Sequence, residues 1–352
     1  MMRISSLVRD NVKKLKPYSS ARDEFKGKAD VFIDANENPY DYGYNRYPDP
    51  RQTLLKEKIS LWRNIPVENI FIGNGSDEVI DLIIRAFCNP GTDNIVTLNP
   101  SYGMYEVSAG INDVELIKVD LNPDFTLDFE MLKNAVNPKT KVVFLCSPNN
   151  PSGNELPYDE IQLFAGKVNA LVVVDEAYID FAEQKSLVQK VNEIPNLVVM
   201  QTLSKALGAA ALRIGMGFAQ NEIITILNKI KPPYNISAAA QNEAMKIFEK
   251  SDEINAQTQK IISERERLRL EFTRYKQVAD IFPSSANFLL IRVDNADKLY
   301  QHLTKEGIIV RNRHGQKHCD NCLRITIGTP DENDLLIYKL DEYYNAENIV
   351  SG

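Results

Sequence analysis

The sequence predicts an α/β protein in two parts: a large domain built on a mainly parallel sheet covered on both faces, and a smaller α/β domain after it. Length is the first of three observations behind this. The chain has 352 residues, which at roughly 150 per domain gives about two domains, each able to bury a core. Composition is the second: 43% hydrophobic and 25% charged residues, with 16 Gly and 17 Pro, are ordinary for a folded globular chain and unlike collagen-like or disordered ones. The third is an alternation of short β-branched runs with helix-period segments, the pattern that buries a parallel sheet between helices.

The chain opens on a basic stretch, with Arg3, Arg9, Lys13, Lys14 and Lys16 against Asp10 alone, which reads as a surface arm or short helix without the apolar core of a secretory signal. Strand-like runs follow at Asn69 to Ile72, Asn94 to Leu98, Val114 to Val119, Lys141 to Cys146, Ala170 to Val174 and Leu197 to Thr202. Ligands of such sheets sit at the carboxyl ends of the strands, so the loops after these runs matter most. From about Gln241 a long charged helical stretch runs through Lys276. Strands around Asn287 to Val293 and Leu323 to Ile327 come next, with a helix between them. Pro232, Pro233 and Ala238 to Ala240 mark the border. The expected organisation is an arm over 1–35 packed with the small domain, a large domain over 36–240 and a small domain over 241–352.

Lys and Arg number 41 against 48 Asp and Glu, a net charge of −7, which lacks the field of a nucleic-acid binder. It also disfavours a DNA-binding regulator built on a similar fold. No uncharged apolar run approaches the ~20 residues that span a bilayer, so no membrane partner is expected and the cytoplasm is the expected location. The four cysteines, Cys88, Cys146, Cys319 and Cys322, are most simply reduced thiols. Cys319-Asp-Asn-Cys322 with His314 and His318 has metal-like spacing, but a strand follows at once and one tight loop would have to supply every ligand. It reads as a polar loop, and no metal is expected.

Four motifs carry chemistry, each just past a predicted strand. Gly73-Asn-Gly75-Ser76-Asp77 opens an apolar-periodic helix, where glycines permit the turn and free N–H groups can receive a phosphate. Asn150-Pro-Ser-Gly153 fixes an asparagine before a proline. Asp175-Glu-Ala-Tyr178 ends the most apolar strand, and a carboxylate there requires a cationic partner, from the protein or from a ligand. Thr202-Leu-Ser204-Lys205, with Arg213 eight positions on, places an amine among hydroxyls and small residues, which suits a nucleophile.

In this order the motifs resemble those of the pyridoxal-phosphate aminotransferases of the aspartate aminotransferase fold, and the resemblance covers nearly the whole chain. The closest likeness within them is to the histidinol-phosphate aminotransferases, through Leu15-Lys-Pro-Tyr18, Asp34-Ala-Asn36-Glu-Asn-Pro39, Arg46-Tyr47-Pro48, Tyr102-Gly-Met-Tyr105, Pro233-Tyr234 and Leu323-Arg324-Ile-Thr-Ile-Gly328. Threonine-phosphate decarboxylases share much of this set, and aromatic amino acid aminotransferases are a further alternative.

The resemblance implies a fold-type-I architecture with a seven-stranded sheet and pyridoxal 5′-phosphate as cofactor. It implies a homodimer with shared active sites, acting on histidinol phosphate and glutamate or 2-oxoglutarate. It assigns Lys205 the covalent bond to the cofactor and the proton transfer, and Asp175 the ring nitrogen. Asn150 and Tyr178 go to the phenolic oxygen, and Tyr102 to the ring face. The cofactor phosphate falls to Ser76, Asp77, Thr202, Ser204 and Arg213, with Tyr47 reaching it from a neighbouring subunit. Tyr18, Asn36, Tyr234, Arg311 and Arg324 are assigned to substrate. One departure stands out: Ala211 occupies a place where the family usually has glycine, and a left-handed backbone there would cost alanine about 1 kcal/mol.

Overall fold

The computed structural model of the protein describes residues 4–18, 27 and 30–350. Two short helices, α1 (Ile4–Leu7) and α2 (Asp10–Lys14), come first, residues 30–52 carry no helix or strand, and α3 (Thr53–Arg63) follows. Strands and helices then alternate: β1 (Ile70–Asn74), α4 (Ser76–Phe87), β2 (Asn94–Asn99), α5 (Met104–Ile111), β3 (Glu115–Asp120), α6 (Phe129–Ala135), β4 (Thr140–Cys146), α7 (Tyr158–Ala165), β5 (Leu171–Asp175), β6 (Leu197–Thr202), β7 (Ile214–Ala219) and α8 (Asn221–Ile230).

The seven strands form one sheet in the order β1-β7-β6-β5-β4-β2-β3. From β6 to β3 every pairing is parallel, whereas β7 runs antiparallel to both β6 and β1. Successive side chains of a strand point to opposite faces. Accordingly Val143, Leu145, Val172 and Val174 enter one apolar cluster while Val142, Phe144, Leu171 and Val173 enter the other. Strands buried on both sides need continuous apolar runs, which made the central strands legible, while β3, an edge strand that is only partly buried, showed through its β-branched pattern. Glycines at 215 and 217 hide β7, and Gly215 is there for clearance: a Cβ would stand 2.1 Å from the Ser76 amide nitrogen.

The rest of the chain forms α9 (Ala238–Phe248), α10 (Ser251–Phe272), β8 (Val278–Ile281), β9 (Phe288–Val293), α11 (Ala296–Lys305), β10 (Arg311–Asn312), β11 (Cys322–Thr326) and α12 (Pro330–Val350). Its four strands pair antiparallel in the order β10-β11-β9-β8 over a third cluster that includes Leu268, Phe272, Leu289, Ile291, Leu336 and Leu340. The charged stretch expected as one helix is two, broken at Glu249 and Lys250.

The arm differs from expectation. Ile4, Leu7, Val8 and Val12 are buried in the large sheet's own cluster with Ile80, Ile83 and Ile84 of α4, and the Arg9 amide donates to the Ala86 carbonyl at 3.0 Å. The apolar face of α1 and α2 therefore packs on the large domain rather than the small one. Residues 19–26 of the arm lie outside the described ones. Among the described residues, no helix is long and apolar enough to cross a membrane.

Candidate active site

The carboxyl ends of β4, β5 and β6, the start of α4 and the β10–β11 ladder surround a cleft of about 580 Å³. Ser76, Asp77, Tyr102, Asn150, Asp175, Tyr178, Thr202, Ser204, Lys205, Arg213, Arg311 and Arg324, twelve of the sixteen expected site residues, line it.

At one end β1 turns through Gly75, at φ 77°, into α4, whose N-terminus has no side-chain cap. Uncapped amides there carry partial positive charge. The Arg213 guanidinium lies 3.2 Å from Asp77, and the Tyr102 hydroxyl donates to the other Asp77 oxygen at 3.0 Å. Arg213 itself takes the left-handed conformation, φ 53°, and its carbonyl accepts from the Gly75 amide at 2.7 Å. Ala211 needs no glycine-like freedom, because it sits in the single right-handed turn Ala210–Leu212. The strain anticipated at 211 falls instead two residues later.

On the floor, Asp175 is 2% exposed. It accepts from the Tyr105 hydroxyl at 2.8 Å and from the Ala177 amide at 3.1 Å. Burial outweighs both bonds and pushes its carboxyl up to about 6; the Lys205 amine opposes this only weakly, and among the described residues Asp175 forms no ion pair. Lys205 follows β6 on a turn closed by the Gly208 amide to its carbonyl at 3.1 Å, with the amine 5.5 Å from the centre of the Tyr178 ring. Desolvation and then the neighbouring Arg324 and Arg213 hold that amine below the ordinary lysine range. Burial raises the Tyr178 phenol, which keeps it a donor. Thr202 and Ser204 share a hydroxyl bond of 2.9 Å.

The opposite wall is cationic. Arg311 and Arg324 are register partners across β10 and β11. Arg324 donates to the Asn150 oxygen at 2.5 Å, and Arg313 reaches the same oxygen at 3.4 Å. Asn150 is thereby left with its amide nitrogen as the group able to donate to a ligand.

These residues fit pyridoxal phosphate. A buried carboxylate that forms no ion pair among the described residues matches a protonated ring nitrogen, an uncapped helix start beside Arg213 matches a phosphate, and a lysine of lowered basicity matches an aldehyde.

Tyr18, Asn36, Tyr47 and Tyr234 do not line this cleft. Tyr47 stacks on Tyr234 with ring centroids 4.4 Å apart and is half exposed, Asn36 is at φ 55° outside any helix or strand, and Tyr18 borders a separate cleft with Lys56 and Lys229. Two participants escaped the sequence reading. Tyr105 belonged to a recognised motif but was given no partner. Arg313 stands one residue past β10, and its only signal in the sequence is its place near Arg311. Cys319 and Cys322, expected in a polar loop, are fully buried beside Phe288 and Leu290. Among the described residues no group of three or more His, Cys, Asp or Glu side chains is placed to hold a metal ion.

The class I and II aminotransferase profile matches residues 26–340. A histidinol-phosphate aminotransferase of Christiangramia forsetii is 52% identical over 344 residues, covering 97% of this chain and 98% of that protein. One of Parabacteroides distasonis is 51% identical over 337 residues, covering 96% and 98%. The solved histidinol-phosphate aminotransferase of Sinorhizobium meliloti, in complex with pyridoxal-5′-phosphate, superposes with a TM-score of 0.79 at 26% identity over 86% of this chain and 83% of that one. With the seven-stranded sheet in keeping with that likeness, the chain belongs to the class I and II aminotransferase family and has its fold-type-I architecture.

Proposed function

We propose that this enzyme transfers an amino group between L-histidinol phosphate and 2-oxoglutarate, giving imidazole-acetol phosphate and glutamate in histidine biosynthesis, with pyridoxal 5′-phosphate as cofactor. One observation carries the reading: Lys205 and the uncompensated Asp175 share a single cleft with Arg311, Arg313 and Arg324, which have no carboxylate partner among the described residues. Relatives about half identical over nearly the whole chain, named for this reaction, support it.

When bound, the cofactor supplies an aldehyde for the reacting amine and a ring that withdraws electrons from the substrate Cα. Lys205 would anchor the cofactor through its amine, and that amine would take the proton from the substrate Cα. Its lowered basicity enlarges the neutral fraction able to do so. Asp175 would hold the ring nitrogen and favour its protonated form. The Asn150 amide and the Tyr178 hydroxyl would hold the cofactor's phenolic oxygen, and Tyr102 would wall its ring. The start of α4, Thr202, Ser204 and Arg213 hold the phosphate. Arg324 offers glutamate's carboxylate a planar fork, and Arg311 faces the substrate's anionic tail.

The active assembly in this reading is a dimer. Val31, Ile33, Tyr42 and Leu61 are 71%, 91%, 87% and 80% exposed, large apolar side chains that a second copy would cover. Tyr47 lies outside its own chain's cleft and reaches the cleft of a second copy. We place the reaction in the cytoplasm, where four free buried thiols stay reduced.

The test is turnover by purified protein of histidinol phosphate with 2-oxoglutarate, beside threonine phosphate and phenylalanine. Production of glutamate from the first pair at a far higher kcat/KM supports the reading. Carbon dioxide released from threonine phosphate, or a preference for phenylalanine, replaces it.

A further inference from the structure

We propose that Arg313 is a specificity-determining residue of this cleft: its guanidinium binds the second negative charge of each substrate, and so selects doubly anionic substrates over singly charged ones. The proposal deepens the reading above and rests on it for the identity of the substrates.

Directly opposed residues of an antiparallel ladder share a face. Arg311 faces Arg324 across β10 and β11, and Arg313 directly follows β10, its amide donating to the Cys322 carbonyl at 2.9 Å, so three guanidinium groups come from one hairpin and all three line the cleft. Among the described residues none of the three forms an ion pair. Arg313 and Arg324 both lean on one Asn150 oxygen, and the Nε of each is buried without a partner. A guanidinium has five N–H donors, so one shared amide oxygen leaves most of this donor set unanswered.

Burial, and then the charges of Arg324 and Arg311, push Arg313 down to about 10, still well above neutral pH. Cations gathered and partly desolvated in this way are unfavourable on their own, and anions restore the balance. One carboxylate is satisfied by the fork of Arg324 alone. The remaining charge calls for a second anionic group, and both proposed substrates bring one: glutamate has two carboxylates, and a phosphate monoester carries about −1.5 to −2. Arg311 is exposed whereas Arg313 is half-buried, so water and salt screen Arg313 less and its bond to an anion discriminates more.

The experiment uses the cofactor-loaded enzyme and two unreactive probes, glutarate with two carboxylates and butyrate with one, titrated by calorimetry. Arg313→Gln is expected to weaken glutarate by about 10- to 100-fold, the worth of a charged hydrogen bond, while butyrate changes by less than about 3-fold. The KM for histidinol phosphate should rise by a factor like that for glutarate, with the loss falling on KM more than on kcat. Arg313→Lys keeps the charge and loses the fork, so it should fall between wild type and Arg313→Gln. If the glutamine variant does not fold, the lysine variant decides by the same contrast of glutarate with butyrate. Equal weakening of both probes, or of neither, overturns the proposal. A wild-type enzyme inert toward histidinol phosphate would remove the substrate reading and leave the contrast between the probes still decisive for Arg313.

Discussion

Tyr105 donates its hydroxyl proton to Asp175 across 2.8 Å, and its ring is held by stacking on Phe144 with centroids 4.8 Å apart. The carboxylate is therefore aimed from α5 as well as from its own strand. In the cofactor-free protein this bond and the one from the Ala177 amide stabilise a charge that burial opposes.

The cofactor-free enzyme should show that opposition in its stability. In the folded chain the Asp175 carboxyl sits at about 6 against 3.8 ordinarily, so between those values the folded state binds the proton more tightly and stability falls as pH rises. The whole interval corresponds to about 3 kcal/mol. Asp175→Asn should therefore stabilise the cofactor-free protein at pH 8, with the gain fading toward pH 4, and Tyr105→Phe should destabilise it most at pH 8. Thermal melts at both pH values check this. A gain for Asp175→Asn that does not depend on pH would refute the burial argument.

Lys205→Ala should abolish the borohydride-fixable visible band while the start of α4 and Arg213 still retain cofactor weakly. Turnover should fall by about 10³-fold or more, since one amine is both the covalent anchor and the proton carrier. Absorbance spectra and single-turnover kinetics measure the two effects separately, and near wild-type turnover would take Lys205 out of the mechanism.

Gly215→Ala should damage the phosphate end without touching a catalytic group. Its Cβ would lie 2.1 Å from the Ser76 nitrogen and 2.3 Å from the Gly75 carbonyl carbon, both backbone atoms that cannot step aside cheaply. A loss of about 1–3 kcal/mol in stability and weaker cofactor retention are expected. Equilibrium dialysis of the cofactor together with melting curves would test it; unchanged retention would mean that the turn has slack.

Subunit exchange tests the shared site. An inactive Lys205→Ala dimer mixed with an impaired Tyr47→Phe dimer should regain activity, because one centre of each hybrid collects both defects and the other neither. Exchange proved by mass spectrometry without any regain would show that each chain holds a complete centre.

The sequence exposed the parts of this molecule that obey local rules. Valine-rich runs buried on both faces, such as Leu171–Asp175, announce themselves, and the chemistry-bearing loops follow them directly. What stayed hidden depends on partners distant in sequence. Strand β7 is masked by glycines, and the reason for Gly215 is the Ser76 backbone, far earlier in the chain; β8 is an edge strand only partly buried. Arg313 has no local signal of a role beyond its place near Arg311, because its partner, Asn150, lies far earlier in the chain. The arm's apolar residues at 4, 7, 8 and 12 show a helical face but do not say which domain it covers.

The reversed direction of β7 limits how this enzyme can be re-engineered. Because β7 pairs antiparallel with β6, Thr202 faces Gly215 and the Leu203 amide bonds to the Ile214 carbonyl at 3.1 Å, which shuts the intervening segment into a loop pinned at both feet. Lys205 and Arg213 ride on that one loop. Inserting or deleting a residue between them would change the span between amine and phosphate clamp, and neither foot can slide to absorb it. Length variation should be tolerated in the exposed connections on the far edge of the sheet, whereas between these two residues only side-chain replacement is open.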